Sequence, residues 1–237
     1  MGVAGERVAV AQTWGTLALV LHLPDTSARV PLIVACHGLS ASKDSDKYLL
    51  LGAEVPAAGF ALARFDFRGC GESSGHEGDT TIASRIDDVE AVLAHLAGHP
   101  HLDGRLGLLG SSLGGFVALF VAAGRPGTPV VTWNAPASLT ELANDERSDN
   151  AALGVPFALE YMEGRYALAP KGVARHLVVH GDADDVVEMA HGAQLHEQAA
   201  EPCDFLVIPG GDHRLTDPVH RFKAVAASVA WFRRFLP

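Results

Sequence analysis

The sequence predicts an α/β protein built on a mostly parallel sheet that carries helices on both faces. Short apolar runs alternate with longer amphipathic segments, which is the pattern of strands and helices that follow one another along the chain. From Leu32 onward most of the apolar runs are nearly continuous, as expected of strands that are covered on both faces. A chain of 237 residues, 48% of them hydrophobic, can bury a core without disulfides or a structural metal. We therefore expect residues 1–237 to form one domain.

The predicted elements comprise eight strands and five helices. The strands are Val8–Ala11, Leu17–His22, Leu32–Cys36, Ala61–Phe65, Leu106–Leu109, Val130–Trp133, His176–Val179 and Phe205–Ile208. The helices are Lys47–Ala58, Ile82–Ala97, Leu113–Ala123, Glu188–Ala200 and Pro218–Phe235. Only a short turn separates the first two strands, so we expect them to pair as an antiparallel hairpin.

One interval, between Trp133 and His176, interrupts this alternation because it contains no clear strand. Its second half carries Phe157, Tyr161 and Tyr166 at roughly helical spacing. An insertion at this point predicts a small cap after strand six, at about 136–172, over the carboxyl ends of the strands, where such sheets bind ligands. The alternative is a helical excursion that packs its aromatic residues into the core.

Composition limits the partners and the compartment. Acidic residues outnumber basic ones by 28 to 18, which gives a net charge of −10 without any basic cluster, so we expect no nucleic-acid partner. No segment approaches the ~18 to 20 consecutive apolar residues that cross a bilayer, so no membrane association is expected. The three cysteines Cys36, Cys70 and Cys203 are too far apart for a C-x-x-C motif, which favours a reducing, cytoplasmic setting.

Two G-x-S-x-G motifs compete for the role of a nucleophile-bearing turn. The motif Gly110–Gly114 directly follows a predicted strand and opens a predicted helix, which is the sharp turn that exposes a reactive serine. The motif Gly71–Gly75 follows its strand at a distance and is succeeded by polar residues, so we interpret it as a structured loop. Ser112 is therefore the candidate nucleophile.

A serine hydroxyl needs a base within hydrogen-bonding reach, and that base needs an orienting acid. Two late strands end in suitable groups at the edge where Ser112 is expected. The candidate base there is His213, and the candidate acids are Asp182, Asp184, Asp185 and Asp212. The spacing of His95, His99 and His101 faintly suggests a metal site, but zinc sites require a fuller ligand set. We expect no metal and no cofactor.

Several motifs in this order together resemble the α/β-hydrolase superfamily. They are His37-Gly38, D-x-R-G-x-G-x-S at Asp66–Ser73, G-x-S-x-G at Gly110–Gly114, H-G-x-x-D-x-x-V at His180–Val187 and G-x-D-H at Gly210–His213. Within the superfamily the chain is most similar to small single-domain carboxylesterases of the cinnamoyl and feruloyl esterase type, on Arg64–Phe67 and Asn134–Leu139.

The resemblance implies a site and a reaction. It implies an α/β-hydrolase fold, assigns the acid to Asp184, and pairs Ser112 with His213 in the order Ser, Asp, His. It also implies an oxyanion hole formed by the backbone N–H groups of Leu39 and Leu113. The expected activity is hydrolysis of a small carboxylic ester through an acyl-enzyme.

The substrate and the assembly are less sharply defined by the sequence. Trp133, Phe157 and Tyr161 are candidate pocket residues, although aromatic residues in a cap serve equally well as packing. Thioester hydrolysis, acyl transfer, lactone opening and peptide cleavage remain alternatives because one triad supports all of them. A more remote alternative is a non-catalytic binding protein on the same fold. An apolar cap face could support a homodimer.

Overall fold

Eight strands form one sheet in the order β1-β2-β4-β3-β5-β6-β7-β8. This architecture comes from a computed structural model, which describes residues 5–140 and 153–237. The strands are β1 Glu6–Gln12, β2 Gly15–His22, β3 Val30–Cys36, β4 Ala61–Phe65, β5 Leu102–Ser111, β6 Val130–Trp133, β7 His176–Gly181 and β8 Cys203–Ile208. All eight predicted strands are therefore confirmed, and most extend a few residues beyond the predicted ends.

Five α-helices lie between these strands and a sixth follows β8 within the described part of the chain. They are α1 Asp46–Ala57, α2 Ile82–Leu96, α3 Leu113–Ala123, α4 Val155–Met162, α5 Met189–Gln198 and α6 Pro218–Phe235. A short 3₁₀ helix, Glu77–Asp79, precedes α2. The five predicted helices are all present, and α4 matches the helical spacing of the aromatic residues after residue 154.

The strand order places the carboxyl ends of β3 and β5 side by side. The β1–β2 and β2–β4 pairs are antiparallel and the remaining pairs are parallel, so the predicted hairpin and the mostly parallel sheet are confirmed. From β3 the chain first moves to β4 on one side and then crosses to β5 on the other. Such a switch point leaves a crevice at the carboxyl edge of the sheet, which is where ligands bind in open α/β folds.

Two apolar layers cover the sheet. Helices α1 and α6 pack on one face, against sheet residues that include Ile33, Leu109 and Trp133. Helices α2, α3 and α5 pack on the other, against Val34 and Leu108 among others. Alternate residues of the central strands point into opposite layers, which explains why these strands read as continuous apolar runs in the sequence.

Helix α4 is attached to the start of α2. The Glu160 carboxylate accepts the backbone N–H groups of Ile82 at 2.5 Å and Ala83 at 2.9 Å, two donors that a helix leaves unpaired in its first turn. Gly154 lies so close to Gly78 that a Cβ atom on Gly154 would be 2.2 Å from the Gly78 carbonyl oxygen. The interval 136–172 thus contains a docked helix, its residues 141–152 lie outside the described part, and the cap stays a prediction.

A row of apolar side chains is exposed on α4. Val155, Leu159 and Met162 share one face of the helix and are 71%, 57% and 81% exposed. The homodimer that such a face could support stays a prediction. Among the described residues, none of the helices has the length and apolar character needed to span a membrane.

Buried histidines are expected to make the fold sensitive to acid. Burial lowers the pKa of His176, which hydrogen-bonds Thr132 Oγ1 at 2.8 Å, to about 3. Between about pH 6.5 and pH 3 the unfolded chain therefore takes up a proton at this position that the folded chain excludes, and stability falls as the pH falls. We expect a loss of about 2 kcal/mol from this histidine alone between pH 6.5 and pH 5.

Urea unfolding of the wild type and of His176→Asn at these two pH values measures this contribution. The variant should lose about 2 kcal/mol less than the wild type on acidification. His95→Asn, on the exposed surface of α2, is the matched control and should follow the wild type. Equal losses in wild type and His176→Asn would contradict the prediction.

Candidate active site

Ser112 occupies a strained turn between β5 and α3. Its backbone has φ 54° and ψ −130°, a conformation that L-residues rarely adopt. The flanking glycines make this turn possible, because a Cβ on Gly110 would lie 2.3 Å from the Gly114 carbonyl oxygen. A Cβ on Gly114 would similarly lie 2.3 Å from the Cys36 carbonyl oxygen. The two glycines of the motif are therefore required because the backbones of β5, α3 and β3 are in direct contact there.

A chain of hydrogen bonds joins the three residues that the sequence singled out. His213, in the loop after β8, has Nε2 at 3.1 Å from Ser112 Oγ. Its Nδ1 lies 2.8 Å and 3.0 Å from the two carboxylate oxygens of Asp184, in the loop after β7. Because the carboxylate can only accept, Nδ1 carries the ring proton and Nε2 is free to accept the serine hydroxyl.

Asp184 is the one of the four candidate acids that contacts His213. Its Oδ1 also accepts the backbone N–H groups of Val186 at 3.0 Å and Val187 at 2.8 Å, which fixes the carboxylate in a buried position.

The three other candidate acids lie elsewhere. Asp182 accepts the Gly210 N–H at 2.6 Å, and Asp212 accepts the N–H and hydroxyl of Thr216. Asp185 is exposed.

Asn134 ties the loops of this site together, and sequence reasoning did not assign it that role. Its side-chain NH₂ donates to the carbonyl oxygens of Asp212 and His213 at 3.0 Å and 2.9 Å. Its Oδ1 accepts the Gly181 N–H at 2.9 Å. The available signal was a polar residue immediately after a buried strand, at the same edge of the sheet as Ser112.

The two predicted oxyanion donors belong to segments that adjoin the nucleophile. Leu113 begins α3, so its N–H is among the unpaired donors of the first helical turn. The loop after β3 lies against the nucleophile, since a Cβ on Gly38 would be 3.0 Å from Ser112 Cβ. Within the described residues no acceptor is found for the N–H of Leu39 or Leu113, and their role as donors stays a prediction.

His37 fixes the peptide unit that carries the Leu39 N–H. Its Nε2 accepts the Phe67 backbone N–H at 3.0 Å, so its proton is on Nδ1, which donates to the Gly38 carbonyl oxygen at 2.7 Å. Burial lowers the pKa of His37 to about 3, which keeps the ring neutral. In a trans peptide the N–H points away from the C=O, so this contact directs the Leu39 N–H away from the His37 ring.

A lysine next to the nucleophile was also not predicted from the sequence. Lys47, on α1, donates from Nζ to Ser111 Oγ at 2.7 Å, one residue before Ser112. Burial, together with the nearby Arg214 charge, lowers the pKa of Lys47 to about 8. The sequence offered no signal for this contact because Lys47 is an ordinary charged position in the first turn of a helix.

The second G-x-S-x-G motif forms a structured loop. Ser73 Oγ donates to the Asp66 carbonyl oxygen at 2.6 Å and accepts the Ala18 N–H at 2.9 Å. Ser74 Oγ accepts the Thr16 N–H at 3.1 Å. Both serines therefore fasten this loop to β2, in agreement with the interpretation of residues 71–75.

The predicted pocket residues are placed in the core. Trp133 is fully buried in the layer of α1 and α6, where its Nε1 donates to Ser228 Oγ at 3.0 Å, so it is a core residue and the pocket assignment is corrected. Its side chain points into this layer because alternate strand residues point to opposite faces of the sheet. Phe157 is buried and Tyr161 half-buried in the α2–α3 layer, and their pocket role stays a prediction.

A metal site is not evident in the described part of the chain. Within residues 5–140 and 153–237, no three His, Cys, Asp or Glu side chains are placed to hold a metal ion together. The rings of His99 and His101 are 5.8 Å apart between centroids.

The strand order, the strained serine turn and the placement of polar groups at the carboxyl edge are those of the α/β-hydrolase fold. The sequence model of the family described as serine aminopeptidase S33 matches residues 28–143, which span β3 to β6.

Solved structures with low sequence identity share the fold across nearly the whole chain. Est1E from Butyrivibrio proteoclasticus, with ferulic acid bound, has a TM-score of 0.83 at 18% identity and covers 96% of this chain and 98% of its own. Mouse α/β-hydrolase domain-containing protein 10 has a TM-score of 0.79 at 18% identity, with 97% and 99% covered. The esterase domain of a Rhodothermus marinus protein has a TM-score of 0.78 at 23% identity, with 98% and 99% covered.

Two of the relatives by sequence are uncharacterized proteins. A 31.7 kDa protein of Escherichia coli from the traX-finO intergenic region is 36% identical over 103 residues, which are 42% of this chain and 35% of that protein. The match thus spans about a third of the length of that relative. Protein Rv2307c of Mycobacterium tuberculosis is 27% identical over 217 residues, 89% of this chain and 73% of the relative.

Proposed function

We propose that the protein is a serine hydrolase that cleaves small carboxylic esters through an acyl-enzyme. The observation that carries the proposal is the continuous hydrogen-bond chain from Ser112 Oγ through both ring nitrogens of His213 to Asp184. A serine, a neutral imidazole and a carboxylate in this arrangement form the general unit for activating a hydroxyl nucleophile.

In the first half of the reaction, Ser112 Oγ attacks the carbonyl carbon of the ester while His213 Nε2 takes the hydroxyl proton. The negative charge that develops on the carbonyl oxygen is stabilised by the N–H groups of Leu39 and Leu113. The bond to the leaving oxygen then breaks, and His213 delivers its proton to the departing alcohol. Asp184 stabilises the imidazolium throughout.

In the second half, water attacks the acyl-enzyme and gives a proton to His213. The bond to Ser112 Oγ breaks, the carboxylic acid leaves, and the proton returns from His213 to the serine. These steps use side chains, backbone N–H groups and water alone, without a metal or a cofactor. Asn134 and His37 contribute by fixing the loops of His213 and Leu39.

The preference for esters is supported by the kind of proteins that share the fold. Est1E carries bound ferulic acid, an aromatic acid, and the Rhodothermus marinus neighbour is an esterase domain. Peptide cleavage is the second candidate, because the matching family model is that of a serine aminopeptidase. Thioester, lactone and acyl-transfer chemistry use the same steps with other leaving groups or acceptors.

Labelling and substrate profiling of the wild-type protein test this proposal. A fluorophosphonate should label one serine, and mass spectrometry should place the label on the peptide that contains Ser112. Aryl and alkyl esters of increasing acyl length, acyl thioesters and aminoacyl p-nitroanilides should then be compared by kcat/KM. Short or aryl esters should rank first.

Two other outcomes have definite meanings. Faster cleavage of aminoacyl p-nitroanilides than of every ester would favour the peptidase alternative. Absence of labelling together with absence of turnover on all three substrate classes would leave the non-catalytic binding protein as the remaining alternative.

We propose a small, soluble ester as the partner and a cytoplasmic location. Nucleic acid and membranes are not proposed as partners.

A further inference from the structure

Three consecutive peptide units after β3 are each held by a side chain. We call His37–Ser40 the oxyanion loop, because Leu39 lies within it. The His37 carbonyl oxygen accepts from Arg85 Nη1 at 3.5 Å, and the Gly38 carbonyl oxygen accepts from the His37 ring at 2.7 Å. The third anchor is Glu77, whose Oε1 accepts the Ser40 backbone N–H at 2.8 Å. The peptide units on both sides of Leu39 are thereby fixed.

The anchored end of the loop is in an unfavourable backbone conformation. Ser40 has φ 47°, in the left-handed region that costs an ordinary residue roughly 1 kcal/mol. A backbone of this kind persists only where its surroundings hold it in place. The Glu77 carboxylate supplies that restraint, since it is the group bound to the Ser40 N–H.

Arg85 supports Glu77 from the interior. It is fully buried on α2, and its Nη2 lies 3.9 Å from the same Glu77 oxygen. Its guanidinium packs over the Phe67 ring at 4.6 Å, while its Nε has no hydrogen-bond partner among the described residues. A buried guanidinium with one unpaired N–H is costly. Two of the contacts that it does make are to the His37 carbonyl oxygen and to Glu77, and a third places Nη2 3.8 Å from Cys70 Sγ.

We propose that Glu77 is a positioning residue that holds the Leu39 N–H in the geometry needed to stabilise the oxyanion, with Arg85 as the support of its carboxylate. This inference rests on the proposed function, because it assigns a role in the same reaction. Glu77 acts through the Ser40 backbone and does not itself touch the reacting atoms.

Glu77→Ala is the informative variant because Glu77 is three-quarters buried at the edge of the fold, on a short 3₁₀ helix. Complete loss of one oxyanion donor lowers the rate about 10²- to 10³-fold. Because the His37 contact remains in this variant, we expect a smaller effect, a loss of kcat of about 10- to 100-fold with KM within about threefold.

Two readouts separate positioning from general destabilisation. Affinity for a trifluoromethyl ketone, which forms a tetrahedral adduct with the serine, should fall by the same factor as kcat/KM, because the adduct uses the oxyanion hole. Glu77→Gln keeps an oxygen that can accept the Ser40 N–H and should restore most of both. Asp79→Ala, an exposed carboxylate on the same 3₁₀ helix, should behave as the wild type.

The inference is overturned if Glu77→Ala retains wild-type kcat and wild-type affinity for the ketone. It is also overturned if Asp79→Ala loses as much activity as Glu77→Ala, since the effect would then belong to the helix as a whole. A wild type that is neither labelled at Ser112 nor active overturns the proposed function, and this inference with it. Normal labelling of the wild type with an unaffected Glu77→Ala overturns this inference alone.

Discussion

Replacing Ser112 with alanine is expected to lower kcat for ester hydrolysis by about 10⁵- to 10⁶-fold and to abolish fluorophosphonate labelling. The substitution removes the oxygen that lies 3.1 Å from His213 Nε2, so no covalent intermediate can form. Alanine retains a Cβ atom and hence the same backbone geometry at φ 54°. The loss should therefore report on the hydroxyl group and not on the shape of the turn.

The chain contains its own matched control for this experiment. Ser73 is the central serine of the other G-x-S-x-G motif and is hydrogen-bonded to the backbone of Asp66 and Ala18. Ser73→Ala should cost some stability by removing these two bonds but should keep the label. Labelling that survives in Ser112→Ala, or disappears in Ser73→Ala with the fold intact, would contradict the assignment.

Replacing Asp184 with asparagine is expected to lower kcat by about 10⁴-fold while the protein remains folded. The carboxylate accepts from the Val186 and Val187 N–H groups, so an asparagine would keep its oxygen there and turn its NH₂ group towards His213. That NH₂ group can only donate, which would force the ring proton from Nδ1 to Nε2. With Nε2 protonated, the imidazole can no longer accept the proton of Ser112.

Asp182→Asn is the matched control for this substitution. Asp182 lies two residues earlier in the same loop and accepts the Gly210 N–H, but it is exposed and does not contact His213. Its replacement should leave kcat within about twofold of the wild type, as is usual for surface substitutions. Rate constants and melting temperatures of the two variants should be measured together. Equal rate losses in both would refute the assignment of the acid to Asp184.

Most of the fold was predictable because its signals are local. Each central strand is a short apolar run bounded by turn residues, and both of its faces are buried, so strands such as β4 and β6 were predicted with their observed ends. The G-x-S-x-G spacing was equally informative, because close contact between backbones excludes other residues at Gly110 and Gly114. Ser112 and His213 were predicted from their positions after strands, and the choice of Asp184 among four acids came from the family resemblance.

Contacts between distant segments were not predictable in the same way. Trp133 was assigned to the pocket from its place at the end of β6, but the face to which a strand residue points depends on register with β5 and β7. The roles of Asn134 and Glu77 depend on backbone atoms of loops that are remote in sequence. A side chain that binds a backbone atom leaves no signature in the residue it recognises.

The order of strands in the sheet also determines when, during folding, the candidate site can exist. Ser112 and His213 are 101 residues apart in the sequence. The pairing of β3 with β5 closes a loop of chain that contains β4 and α2. Contacts of such long range form slowly, because the entropy of closing the loop must be overcome first. His213 follows β8, so its contact with Ser112 requires β8 to be in place at the edge of the sheet. Hydrolytic activity regained on refolding would therefore report assembly of the sheet from β3 to β8 and not the formation of any single strand pair.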